Sequence, residues 1–402
     1  MQIFELTKRL KNLVLNPLIQ LIIALVVAST CYDKLQPDTV RFFLTISACL
    51  KELLAFVLPF LLFSFVAVAL SSIPKDGMLF VLGLMVVVFL SNFVNVLLSG
   101  TVGFLVLSGA ETHVIPEPTT AFLPFFDAKL PHIAETAESL FLGIAVGLVN
   151  SFRPNRYISV TVKFVHSCVM KFMKNFFVPL LPIFVGGFLL KLLSEGKMLG
   201  FVGNNTKVCI ITCGFLWIYL GLWLLAASSF KFGRAIEIFK TTFPAIVTAF
   251  SSMSSAAALP LSLGAAEKNT KDKMLADAVM PITLNFHMVG DTIIVPIMAL
   301  MVMLAFNHPL PNVHDFVLFG LFFILNKFAG GGVPSGTIMV TVPVLEKYLG
   351  FDSSMTAFII ALYGVIDPIA SSGNVAANNF FIVIFQKIRN LAKKSRHCTQ
   401  NV

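Results

Sequence analysis

The residues of this chain best suited to chemistry lie in its last third, in the stretch D-P-I-A-S-S-G-N-V-A-A-N-N from Asp367 to Asn379. Apolar runs frame it, F-I-I-A-L-Y-G-V-I before and F-F-I-V-I-F after. Asp367, Ser371, Asn374 and Asn378 stand at offsets of 0, 4, 7 and 11, which is one face of a helix. A carboxylate at mid-membrane depth is costly, so such groups face a cavity or a partner and mark a pathway. Polar side chains that glue two helices together are the alternative. Four polar groups with a carboxylate exceed what packing needs, so the stripe reads as a binding wall.

Other polar groups interrupt apolar segments upstream. Segment 236–266 is broken by F-S-S-M-S-S-A-A-A-L-P (Phe250 to Pro260), and segment 275–306 by N-F-H-M-V-G-D-T (Asn285 to Thr292). Segment 316–347 is broken by F-A-G-G-G-V-P-S-G, Phe328 to Gly336. Thus two Gly/Ser/Pro-broken segments are each followed by a helix that is polar at its centre, the last at about 353–386. Broken helices are tolerated at membrane depth only where protein or a watery cavity receives the freed backbone groups. A pair of them in corresponding positions points to an inverted-repeat transporter site. Close helix packing on small residues accounts for one such segment but poorly for the whole set.

The elements that carry these residues are membrane helices. Of 402 residues, 57% are hydrophobic and 12% charged, with 41 Phe, and the mean hydropathy is +0.89. That balance excludes a soluble globular class, and apolar runs of roughly 20 residues recur along the chain. Strand alternation of the outer-membrane barrel type is absent. The first residues, M-Q-I-F-E-L-T-K-R-L-K-N-L, read as a basic lead-in to span 1 rather than a cleavable signal. Spans are expected at about 14–31, 39–72 (with Lys51, Glu52 and Pro59), 78–108, 138–152, 160–193 and 206–229, ahead of the broken segments. The net charge of +9 does not mark a nucleic-acid binder. Basic residues cluster at Lys8–Lys11, Arg153–Lys163, Lys231–Lys240 and Lys387–Arg396, while loops between them hold Glu111, Glu117, Asp127, Glu135 and Glu138. By the positive-inside rule both termini are cytoplasmic in a multi-pass plasma (inner) membrane protein. The six Cys are scattered, and Cys209 and Cys213 lack the further ligands a metal would need, so they read as small buried hydrophobes.

On these motifs, most specifically from residue 241 onward, the sequence resembles the glutamate transporter family, the dicarboxylate/amino acid:cation symporters, as a divergent bacterial-type member. F-V-L-P-F-L-L-F-S-F-V-A-V-A-L-S-S-I (56–73) also carries the likeness. The resemblance implies an all-α elevator-type transporter with eight transmembrane helices, two re-entrant hairpins and inverted repeats, assembled as a homotrimer. Residues 1–76 (spans 1–2) and 109–200 (spans 4–5) would be scaffold. Residues 77–108 (span 3) and 201–402 would be the moving transport domain. The latter holds span 6, hairpin 1 (about 236–266), span 7 (about 275–306), hairpin 2 (about 316–347) and span 8 (about 353–386).

Residue by residue, the resemblance implies that Ser254 and Ser255 hold the α-carboxylate of an amino acid, with Asn374. It places Asp367 on the α-amino group, Val333 of Gly332-Val333-Pro334 in the gate, and Asp291 against the substrate side chain. Ser371 and Ala370 complete the candidate substrate set. The arginine that acidic-substrate members carry is missing, because its two alternative positions are Ala370 and Met253. Without that guanidinium an acidic side chain would be buried unpaired.

The cation sites are eroded too. The span-7 signature Asn-Met-Asp-Gly-Thr reads His287-Met288-Val289-Gly290-Asp291, and the span-8 sodium-ligating aspartate is Asn378. Sodium wants hard oxygen ligands, and two carboxylates are lost. Lys327, at the shoulder of hairpin 2, either stands in for a sodium ion or simply snorkels or pairs. His287, Asn285, Asn378, Lys327, Ser91 and Asn92 are the candidates for cation or proton coupling, with His287, Asp291 and Asp367 able to titrate.

The expectation is therefore a secondary active symporter of neutral, polar or cationic amino acids, with reduced sodium dependence or proton coupling. It has no cofactor beyond the transported cation (Na⁺ or H⁺), and its partners are its substrate, the bilayer and its own copies. A sodium-coupled glutamate or C4-dicarboxylate carrier is the alternative, and would need a cation near the substrate side chain. An anion channel or leak is a third reading. An enzyme is excluded, since no nucleophile motif surrounds Ser254, Ser255, His287 and Asp367.

Overall fold

The computed structural model describes residues 17–71, 78–108, 122–126, 129–131, 133–134, 136–194, 197–330 and 336–400. Among them every regular element is helical. The first helices are α1 (Pro17–Cys31), α2 (Pro37–Ser71), α3 (Met78–Ser108), α4 (Thr136–Phe152) and α5 (Arg156–Phe172). A π-turn at Met173–Phe177 leads into α6 (Val178–Ser194), and α7 is Lys197–Ala227. The remainder is α8 (Phe232–Ser252), α9 (Leu259–Thr270), α10 (Lys273–Phe286), α11 (Val289–Ala305), α12 (Val313–Gly330), α13 (Gly336–Leu349) and α14 (Ser353–Gln400).

Helices α1, α2, α4, α5 and α6 pack on one another. The seam between α2 and α4 is close because G-I-A-V-G puts Gly143 and Gly147 on it. A Cβ at Gly143 would lie 2.8 Å from the Phe63 carbonyl oxygen, and one at Gly147 2.8 Å from Leu70 Cβ. This is the small-residue spacing by which helices approach without a hydrophobic drive. The segment expected as a single span at 160–193 is instead bent by 59° between Arg156–Phe177 and Pro182–Lys191. The π-turn and Pro182 account for the bend, since each removes regular backbone bonds from the helical ladder.

The second group is built on α11 and α14, with α3, α7, α8, α9 and α10 around them. Four helical stretches are long and apolar enough to cross a membrane among the described residues, or five with the bent pair counted. They differ in what they face. In Leu79–Leu107 and Lys207–Ala227 only 28% and 22% of the apolar window is buried. In Lys273–Ala305 and Leu362–Leu391 the shares are 94% and 83%. The two polar-centred stretches are therefore the ones enclosed by protein, and the lipid-like surfaces belong to their neighbours.

Candidate functional site

The break expected at Asn285–Thr292 narrows to His287 and Met288, between α10 and α11. Two residues outside the helical ladder leave donors and acceptors that must be received elsewhere. Side chains from α3 and α14 receive them. Asn92 Nδ2 donates to the Phe286 carbonyl at 2.7 Å, and Asn378 Nδ2 to the His287 carbonyl at 3.0 Å. The Gly290 and Asp291 amides donate to Asn374 Oδ1 at 2.8 and 3.4 Å. The polar stripe of α14 thus closes the backbone of the broken span. Gly290 permits this approach, because a Cβ there would collide with the Ala370 carbonyl oxygen.

The break aims two side chains into two different polar clusters. His287 is fully buried. Its Nδ1 lies 2.9 Å from Asn378 Oδ1 and its Nε2 2.9 Å from Ser91 Oγ. Because Asn378 Nδ2 is committed to the His287 carbonyl, its Oδ1 is the acceptor, which makes Nδ1–H a donor. The rings of Phe381 and Trp223 cover the imidazole, with centroids at 4.9 and 5.5 Å. These partners are all neutral, which suits a neutral imidazole, since an imidazolium would be a buried charge without a counter-ion.

Asp291 sits in the first turn of α11 and belongs to the other cluster. Lys327 Nζ, from the last turn of α12, reaches its Oδ2 at 2.8 Å. Asn374 Nδ2 donates to the same oxygen at 2.9 Å, and Thr337 Oγ1 at 3.4 Å. The Tyr363 hydroxyl meets Asp291 Oδ1 and, at 3.4 Å, Asp367 Oδ1. Ser371 Oγ donates to Asp367 Oδ1 at 3.0 Å. The Lys327 ammonium also lies 4.9 Å from the Phe323 ring centroid, a cation–π contact. Asp291 and Lys327 are each 1% exposed and Asp367 3%. Among the described residues, these contacts set one ammonium against two carboxylates in a water-poor interior.

The residues singled out from the sequence therefore divide. Asp291, Asp367, Ser371, Asn374 and Lys327 come together, and Lys327 pairs instead of snorkelling. His287, Asn378, Ser91 and Asn92 form the neighbouring cluster. Asn285 joins neither, since its side-chain amide turns back to the Pro281 carbonyl at 2.6 Å. Ala370 offers only its carbonyl, against Gly290. Ser254 and Ser255 lie half-buried in the turn between α8 and α9. Ser254 Oγ caps the Ala257 amide at 3.4 Å, and the Ser255 carbonyl accepts from Ala258. Met253 makes the turn with a φ of 53°. Val333 lies outside the described residues. The cysteines depart from expectation, as Cys209 and Cys213 are half-buried and Cys168 is exposed.

Sequence reasoning missed Tyr363, Thr337, Asn95 and Ser99. Tyr363 is one turn before Asp367 and extends its stripe. Asn95 and Ser99 extend Ser91 at helical spacing, and Asn95 Oδ1 accepts from the Tyr219 hydroxyl at 2.6 Å. Ser99 Oγ donates to the Thr292 carbonyl at 3.1 Å.

A family model described as the sodium:dicarboxylate symporter family matches residues 13–388. The chain belongs to that family. This is the glutamate transporter family, and it consists of transporters rather than enzymes. The protein is accordingly a secondary symporter that carries small molecules across a bilayer, and a multi-pass membrane protein. No curated protein matches the chain. Val289 is a fully buried aliphatic residue of α11, and both amide atoms of Asn378 are engaged with His287.

Proposed function

We propose that this symporter carries α-amino acids with uncharged, polar side chains and couples their uptake to protons rather than sodium. One observation carries the reading: Lys327 and Asp291 neutralise each other at 2.8 Å, beside a second carboxylate, Asp367. In this reading Asp367, which Tyr363 links to the pair, is the carboxylate that meets a substrate ammonium. The Asp291–Lys327 pair, with Thr337 and Tyr363, offers both donors and acceptors to a hydroxyl or amide. The absence of a guanidinium at Ala370 and Met253 points the same way. Sodium would find Val289 and Asn378 where the family resemblance expects carboxylates. Among the described residues His287 has neutral partners only, so in this reading it is not the proton carrier.

The wider architecture in this reading has eight spans and two re-entrant hairpins, α8–α9 and α12–α13. Helices α1, α2 and α4–α6 form a fixed scaffold, and α3 with α7–α14 moves. Three copies assemble, with both termini cytoplasmic. A second reading, a sodium-coupled glutamate or C4-dicarboxylate carrier, draws support from the Lys327 ammonium, the cation such a substrate needs. Asp291 already matches that cation, which is why the first reading is preferred.

Thermal shift of the purified protein against an amino-acid panel tests the choice. Ligand at 100 times its Kd adds ~2.7 kcal/mol to the folded state. Serine, threonine or glutamine is expected to stabilise the protein in sodium-free buffer. Stabilisation by aspartate or a C4-dicarboxylate alone, and only with sodium, would contradict the proposal.

A further inference from the structure

We infer that Asp291 and Lys327 form a charge-balanced selectivity pair: each masks the other from the substrate, so removing either changes the charge of side chain that the carrier accepts. The inference rests on the proposed neutral-substrate reading and names the groups that enforce it.

The geometry carries it in three steps. First, the two charges come from different elements, the first turn of α11 and the last turn of α12. They meet at 2.8 Å, and both are 1% exposed. Second, neither charge is held by its partner alone. Asp291 also accepts from Asn374, Thr337 and Tyr363, and Lys327 lies over the Phe323 ring. If one partner is replaced by a neutral group, the survivor is therefore still held in place. Third, Tyr363 links this pair to Asp367, so the pair adjoins the carboxylate proposed to bind the substrate ammonium.

A buried charge stripped of its counter-ion is strongly unfavourable, and an incoming opposite charge relieves it. In Asp291→Asn the Lys327 ammonium is unmasked and favours an acidic side chain. In Lys327→Met the Asp291 carboxylate is unmasked beside Asp367 and favours a cationic one. The amide of the first variant keeps one carbonyl oxygen, which can accept from Asn374 and Thr337 at the Oδ2 position while its nitrogen faces the Tyr363 hydroxyl.

The test is uptake by the full chain in proteoliposomes of labelled serine, aspartate and lysine, with melting temperatures measured in parallel. Asp291→Asn is expected to raise the aspartate-to-serine uptake ratio on the order of tenfold, and Lys327→Met the lysine-to-serine ratio similarly. The double variant is expected to show neither shift and to regain the melting temperature that each single variant loses. Folded single variants that lose all three substrates in proportion, with unchanged ratios, would make the pair a structural tie and overturn the inference. Asp291→Ser and Lys327→Gln are a second set, judged by the same ratios. If all four single variants fail to fold while the double variant folds, the inference is likewise overturned. Wild-type protein that itself prefers aspartate defeats the neutral-substrate reading instead, and the ratios in the variants still judge the pair.

Discussion

At the scale of single residues, the site is held by side chains with two jobs. Asn374 is the clearest, because its oxygen accepts from the backbone of the break while its amide nitrogen donates to Asp291. Asn374→Ala should therefore cost about 1–3 kcal/mol for the buried amides left unpaired, and abolish substrate-induced stabilisation. Denaturant unfolding and thermal shift measure the two effects separately. His287→Gln tests the division between the clusters. Losing its contacts to Ser91 and Asn378 should cost about 1–3 kcal/mol, while the pH dependence of uptake keeps its form. A pH dependence abolished by this change alone would make His287 a proton carrier.

Much of this was legible at the level of residues. The offsets of Asp367, Ser371, Asn374 and Asn378 fix a shared face, and all four are buried there. What spacing could not reveal was the partner of Asp291. Lys327 lies on a different helix, and only the fold brings the two together. Tyr363 was hidden for another reason. In an apolar run an aromatic reads as core, and only its hydroxyl, which needs a partner when buried, betrays a polar role.

At the scale of elements, the decisive feature is the break between α10 and α11. Polar residues inside an apolar segment announced it, but not its length, because Asn285 and Thr292 both proved helical. Helical ends depend on which neighbours receive the freed backbone groups, and those neighbours, α3 and α14, are remote in sequence. Gly290 is the test of this contact. Gly290→Ala would push a methyl into the Ala370 carbonyl and separate α11 from α14, costing about 1–3 kcal/mol by overpacking. Uptake should fall with it, because Asn374 and Asp291 would lose their register. Unfolding curves together with uptake rates check both parts. The bend of α5 and α6 shows the opposite limit of sequence reasoning: Pro182 lies within the expected span, but a proline permits a kink without setting its angle.

At the scale of the whole molecule, the two stretches with the most polar centres are the two most enclosed by protein. That arrangement lets a symporter keep carboxylates and an ammonium at membrane depth. Composition alone established the membrane class. It could not establish which helices face lipid, since hydrophobic residues line both protein and lipid contacts here. The proposed trimer has a direct check, in which light scattering of the detergent-solubilised protein should return three times the 43.9 kDa chain mass after subtraction of bound detergent. The central claim is that the Asp291–Lys327 pair and the eroded sodium positions make this a proton-coupled carrier of neutral, polar amino acids. The most direct test is uptake of labelled serine, glutamine and aspartate into proteoliposomes, under an imposed pH gradient and separately under a sodium gradient. The account predicts accumulation of serine or glutamine that follows the pH gradient and is indifferent to sodium. Accumulation of aspartate alone, driven by sodium and unaffected by the pH gradient, would contradict it.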